Sequence, residues 1–233
     1  MRALRFLSVL VAALAIVPAL TAPAQAAPPD HTTMQIQGMG ATSVYPTPSG
    51  NGAWYVNFGV GSYTLNGERT PEQPAVSAGI FDSSCSADGL SCTGYGVDAI
   101  TPVPAGAFTI EPDLSAAVLP PTEVTGHGWA SSWWFDPVLG EWQSETHEIS
   151  ITTTVSASFV ATGRVDTQPY HEVLSGDGSQ GGLVYRDIIS DVTVSRPATA
   201  TATAFDLTSS DPAWAWIAQQ SSTNISTYWT TNG

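Results

Sequence analysis

Apolar and polar residues alternate one by one along most of this chain, and a period of two is typical of β-strands rather than helices. In "AWYVNFGV", residues 53–60, one side of the extended chain carries Trp54, Val56, Phe58 and Val60. In residues 147–165 a single parity collects Ile149, Ile151, Val155, Ala157, Phe159 and Ala161. Apolar residues at helical spacing scarcely occur beyond the N-terminal segment. The sequence therefore predicts an all-β protein whose strands bury one face.

The segments are short and are separated by Gly, Pro and Asn turn signals roughly every eight to fifteen residues. This spacing predicts a two-sheet antiparallel β-sandwich, with a closed β-barrel as the alternative. Residues 27–233 are expected to form one domain, since all-β domains of about 200 residues are common. Near the C-terminus, Asp211-Pro212 is a helix-start signal, so a single short helix after it is an alternative to a strand there.

Residues 1–26 have the pattern of a secretory signal peptide. Arg2 and Arg5 precede the apolar run "FLSVLVAALAIV", and "TAPAQA" provides small residues for cleavage after Ala26. The apolar run is shorter than the roughly 20 residues of a membrane span. We therefore expect a secreted, extracellular protein with no membrane insertion in its mature form.

The charge of the chain excludes several partners. Without residues 1–26 the chain has four arginines, no lysine and 20 acidic residues, a formal charge of −16. Such an acidic surface repels phosphate backbones and anionic lipids, so no nucleic-acid partner is expected. The partners that remain are glycans and proteins.

Two cysteines, Cys85 and Cys92, flank the segment "SADGLS". In an exported protein this pair is expected to form a disulfide across a hairpin. The pairing sets Ile80 opposite Val97 and Ala78 opposite Ala99, so that these residues and Val76 form one apolar face. A redox role is disfavoured because no Cys-x-x-Cys motif is present.

The segment 126–150, "GHGWASSWWFDPVLGEWQSETHEIS", contains four tryptophans on a predicted hairpin with its turn at "DPVLGE". If Phe135 faces Trp142, the indoles lie on the side opposite Ile149 and form an exposed strip. If the register slips by one residue, Trp129 and Trp133 join the core. Both alternatives stay open. The exposed strip would stack on sugar rings and predicts a binding site formed by Trp129, Trp133, Trp134, Trp142, His127 and Glu148.

Catalytic and metal signatures are weak. Glu141 and Glu145 share a face and Glu148 points the other way, which does not match a glycosidase pair. "GDGSQGG" around Ser179 differs from a nucleophile elbow because Asp177 replaces its first glycine. We therefore predict no catalytic residues.

No metal and no cofactor are predicted either. Calcium is a lesser alternative, with the candidate ligands Asp82 with Asp88, or Asp177 with Asp187. His127 and His147 fall on one face only in the slipped register, where Glu145 would complete a zinc-type site.

Four features in this order resemble small secreted all-β proteins of high-GC Gram-positive bacteria: an N-terminal strand, the hairpin "CSADGLSC", the strand "GHGWASSWW" and the strand ending in "ATGRV". The resemblance implies export but brings no activity and no site residues. The sequence favours a non-catalytic extracellular binding module, directed at glycan or cell-envelope polymer through the Trp-rich hairpin. The alternatives are a glycan-cleaving hydrolase and a purely structural or protein-binding factor.

Overall fold

The computed structural model describes residues 30–177 and 183–230, all within strands and the turns that join them. The predicted signal peptide and Ser179 lie outside these residues. The strands are β1 (Asp30–Pro46), β2 (Ala53–Leu65), β3 (Glu68–Pro71), β4 (Ala75–Cys85), β5 (Ser91–Pro102), β6 (Thr109–Ile110), β7 (Ala116–Asp136), β8 (Glu141–Ala161), β9 (Asp166–Asp177), β10 (Leu183–Ala204), β11 (Leu207–Ser209) and β12 (Trp214–Thr230).

All strand pairs are antiparallel, which confirms the predicted all-β antiparallel class. The hydrogen-bonded order is β1-β12-β10-β8-β7-β5-β4-β2-β3, and β1 also pairs with β2. This last pairing joins the first strand to the far side of the order. The strands that enclose the core form two layers, and these layers are parts of one continuous sheet rather than two separate sheets.

The core lies between opposite parts of this sheet. Phe58 of β2 contacts Phe159 of β8 with ring centroids 5.7 Å apart, although four steps of the strand order separate the two strands. Tyr45 stacks on Trp54 at 4.3 Å in the same core. The alternation predicted this packing for β2 except at its end, where Val60 is 40% exposed. Packing of one layer on the other is that of a sandwich.

The hairpin of β4 and β5 has the predicted register. Cys85 and Cys92 are disulfide-bonded, Ile80 lies opposite Val97, and Ala78 lies opposite Ala99. The apolar face formed by these residues is buried. The cysteine pair in the sequence thus predicted the register of the complete β4–β5 hairpin.

The alternative of a short helix after Asp211-Pro212 is wrong. Residues Trp214–Thr230 form β12, which pairs with β1 on one side and with β10 on the other. Hydrogen bonding along two neighbours outweighs a local start signal, because helix propensity is a weak determinant beside tertiary context. Among the described residues no helix has the length and apolar character to cross a membrane.

Candidate functional site

The Trp-rich hairpin adopts the first of the two predicted registers. Phe135 lies opposite Trp142 and Trp129 lies opposite Glu148. Ile149 and the buried Val155 share the core side of β8, so Trp129 and Glu148 lie on the other side of the sheet, which we call the outer face. The hairpin therefore presents aromatic side chains away from the core.

The four tryptophans of this hairpin do not form one strip. Trp129 and Trp133 lie on the outer face, and Trp129 is 39% exposed. Trp134 follows Trp133 directly and so lies on the core side of the sheet, where it is also partly exposed. Trp142 also lies on the outer face, near the hairpin turn, and packs edge-on against Phe135 at 5.9 Å. Of these four tryptophans, Trp129 lines the cleft described next.

That site is a cleft of about 390 Å³ on the outer face, and its lining includes Tyr55, Phe81, Asp98, His127 and Trp129. Two neighbouring rows of cross-strand residues build it. In the first row, Phe81 of β4, Gly96 of β5 and Trp129 of β7 lie directly opposite one another. The phenyl and indole rings meet at 6.0 Å with an interplanar angle of 58°.

Because Gly96 has no side chain, the Trp129 indole packs closely over the backbone of β5. A Cβ added at this glycine would approach the Trp129 ring to 3.2 Å, closer than ordinary van der Waals contact. The indole therefore occupies the space above Gly96 beside the Phe81 ring, and these two rings are the aromatic walls of the cleft. A glycine within a strand often marks such a close approach.

The second row consists of Tyr55, Gly79, Asp98 and His127, from β2, β4, β5 and β7. The Tyr55 hydroxyl donates a hydrogen bond of 2.8 Å to Oδ1 of Asp98. A Cβ on Gly79 would collide with both the Tyr55 ring and the Asp98 carboxylate, so this glycine is the floor beneath that bond. Burial, and then the hydrogen bond and charge of Asp98, raise the pKa of Tyr55.

The cleft combines three aromatic rings with one carboxylate and one imidazole. No arginine is among the described residues that line it. Apolar ring faces with a few hydrogen-bonding groups at the edge are the usual composition of small-ligand sites. Such a lining can stack on a flat apolar ring and accept hydrogen bonds from ligand hydroxyl or amino groups.

The predicted glutamates are spread over both faces. Glu148 lies beside Trp129 on the outer face, whereas Glu141 and Glu145 lie on the core side. Glu145 contacts His147 at 3.2 Å, and both side chains are well exposed. At about 3.3 Å per residue, Glu141 and Glu145 are separated by about 13 Å along the strand, more than the spacing of a glycosidase pair.

The candidate metal ligands do not converge. His127 lies on the outer face and His147 on the core side, as the observed register requires. Asp82 accepts hydrogen bonds from Thr47 and Ser49, and Asp88 accepts one from Ser86 in the β4–β5 turn. In residues 30–177 and 183–230 no group of three His, Cys, Asp or Glu side chains is placed to hold a metal ion.

A larger depression, of about 670 Å³, lies on the core side of the sheet between β8 and the turn that joins β10 to β11. Its polar groups are mainly threonines, and the Thr153 hydroxyl accepts the N–H of Phe205 at 2.7 Å. It contains none of the tryptophans of the hairpin. The outer-face cleft is therefore the stronger candidate site.

Sequence reasoning missed three residues of the cleft, namely Tyr55, Phe81 and Asp98. A signal existed for two of them. Tyr55 follows the core residue Trp54, and Phe81 follows the core residue Ile80, so each has the parity of the outer face. A further outer-face pair, Trp214 and Trp216, stacks at 4.3 Å on β12.

No family model, no curated protein and no solved structure matches this chain. The molecule is a disulfide-linked, antiparallel all-β protein with an aromatic cleft on the outer face of its sheet. The chemistry of this cleft is the basis for assigning a function.

Proposed function

We propose that this protein is a non-catalytic binding module whose outer-face cleft binds one sugar ring of an extracellular glycan or cell-envelope polymer. The observation that carries the proposal is the pair of exposed aromatic rings that line the cleft, Phe81 and Trp129, with the indole packed over Gly96. The apolar face of a sugar ring stacks on an indole, while its hydroxyl groups reach polar side chains at the edge.

The polar edge of the cleft suits a ligand rich in hydroxyl groups. The Asp98 carboxylate accepts hydrogen bonds and the His127 ring can donate or accept them. The volume of about 390 Å³ is within the range of small-ligand sites. The ligand polymer is therefore expected to pass over the cleft and insert one unit.

An extracellular place for this function is part of the proposal. The signal-like residues 1–26 support export, and the Cys85–Cys92 disulfide is of a kind that persists in oxidising compartments. The acidic composition disfavours nucleic acid as partner.

The lining of the cleft favours binding over cleavage. Asp98 is the one carboxylate among the described residues that line it, and Glu148 lies two strands and two residues away in the register. Most glycosidases need a pair of carboxyl groups that flank the scissile bond.

The test is retention on insoluble polysaccharides, comparing wild type with Trp129→Ala and Trp134→Ala. Both variants remove one partly exposed indole from the same strand, but only Trp129 lines the cleft. We expect Trp129→Ala to weaken binding about tenfold or more, in line with stacking worth about 1.5 kcal/mol, and Trp134→Ala to bind like wild type.

Equal loss in both variants, or retention of neither wild type nor variant on any glycan, would contradict the proposal. Retention of wild type that Trp129→Ala leaves unchanged would place the binding surface elsewhere. A purely structural or protein-binding role predicts no retention at all.

A further inference from the structure

We infer that the glycan bound by this cleft is built of amino sugars whose amines are free and protonated. This inference rests on the proposed function, because it specifies the class of glycan for the same cleft. Three properties of the cleft support it: an ionisable acceptor at its edge, aromatic faces beside that acceptor, and the sign of the surrounding charge.

The acceptor is Asp98. Its carboxylate accepts a hydrogen bond of 2.8 Å from the Tyr55 hydroxyl. Among the residues that the structure describes, this is the only side-chain hydrogen bond of Asp98. A carboxylate has about four acceptor positions, so most of its capacity faces a ligand or water. An ammonium group adds Coulomb attraction to the hydrogen bond that it donates to the carboxylate, whereas a hydroxyl group donates without a charge, so an amine gains more here.

The aromatic walls of the cleft, Phe81 and Trp129, also favour a protonated amine. Trp129 is 39% exposed and Phe81 48% exposed, and both line the cleft that contains Asp98. A cation within about 6 Å of an indole face is attracted by the ring quadrupole. A protonated amino sugar can stack its ring on the walls and place its ammonium group between Asp98 and the indole, whereas an N-acetylated unit offers only a neutral amide.

The charges around the cleft disfavour an anionic glycan. Glu148 lies directly across from Trp129 and is exposed on the same face. The arginines of the described residues, Arg69, Arg164, Arg186 and Arg196, lie outside both rows of the cleft. A uronate or phosphate group finds no arginine here and is repelled by Asp98 and Glu148, while a polycationic glycan is attracted by the whole acidic surface.

The experiment measures affinity by titration calorimetry for three oligosaccharides of equal length: a fully deacetylated chito-oligosaccharide, its N-acetylated form and a cello-oligosaccharide. All are measured at one fixed pH at which the free amines are protonated. We expect wild type to bind the deacetylated oligomer about tenfold more tightly than either neutral oligomer, a difference of about 1.4 kcal/mol that the attraction between ammonium and carboxylate supplies.

The variant Asp98→Asn keeps the shape of the side chain and removes its charge. It should abolish the preference, so that the deacetylated and the N-acetylated oligomers bind this variant with equal affinity. Glu141→Gln is the matched control, because it removes one exposed negative charge from the core side of the sheet and should keep the preference.

Two outcomes overturn the inference while the proposed function stands: equal wild-type affinity for the charged and neutral oligomers, and a preference that survives in Asp98→Asn. Failure of all three oligomers to bind overturns the inference, and retention on other polysaccharides then decides on the proposed function. Because the wild-type comparison needs no substitution, the inference is testable even if Asp98→Asn folds poorly.

Discussion

At the scale of single residues, the cleft depends on side chains that are absent. Gly79 lies beneath the Tyr55–Asp98 hydrogen bond, and Gly96 lies beneath the Trp129 indole. Both glycines are in strand interiors, where glycine costs stability and needs a local reason. The reason here is the close approach of aromatic rings to the backbone. Sequence alone marks these glycines as unusual but does not say which ring lies over each one.

This arrangement makes the Tyr55 phenol a weaker acid than an exposed tyrosine. Its pKa is raised first by burial and then by the hydrogen bond and charge of Asp98. The folded state therefore favours the neutral phenol, so this group stabilises the fold below the ordinary tyrosine pKa of about 10, and the contribution is lost as the pH rises through the folded value.

We predict that Asp98→Asn lowers the pKa of Tyr55 but leaves it above the ordinary tyrosine value, because burial remains. Alkaline titration followed by ultraviolet difference spectroscopy checks this, with Tyr55→Phe as the control that identifies the signal. A Tyr55 signal that titrates like an exposed tyrosine in wild type would mean that the row of Tyr55 and Asp98 is not formed.

At the scale of strands, the sequence predicted pairings where a covalent or apolar constraint was present. The disulfide fixed the β4–β5 register, and the buried face of β8 followed from its parity. The register of β7 on β8 stayed open, because a shift of one residue preserves the alternation while exchanging the faces. Nothing local distinguishes an indole on the outer face from one in the core.

The Cys85–Cys92 disulfide closes the β4–β5 hairpin and stabilises the fold. We predict that replacing Cys85 and Cys92 by serine lowers the free energy of unfolding by about 2 to 3 kcal/mol, as loop-closure entropy gives for a short loop. Urea denaturation of the double variant and of wild type measures this difference. A decrease below about 0.5 kcal/mol would show that the turn, where Asp88 accepts the N–H of Leu90, is held without the bridge.

At the scale of the whole molecule, the cleft collects residues from four strands that span Tyr55 to Trp129 in the chain. Their convergence follows from the order β2-β4-β5-β7 in the sheet. Turn signals and alternation predicted the strands and the all-β class, but not this order, since neighbouring strands are determined by packing of the complete core. For this reason His127 and Trp129 were found from sequence, and their partners on β2, β4 and β5 were not.

An NMR titration that follows the indole N–H signals of the eight tryptophans shows directly whether the outer-face cleft binds sugar. Short soluble chito- and cello-oligosaccharides serve as probes, and single Trp→Phe variants assign the signals. The account predicts that the Trp129 signal shifts on addition of a bound oligosaccharide while those of Trp134 and Trp214 do not. A Trp129 signal that stays in place while another indole responds would contradict the assignment of the outer-face cleft as the binding site.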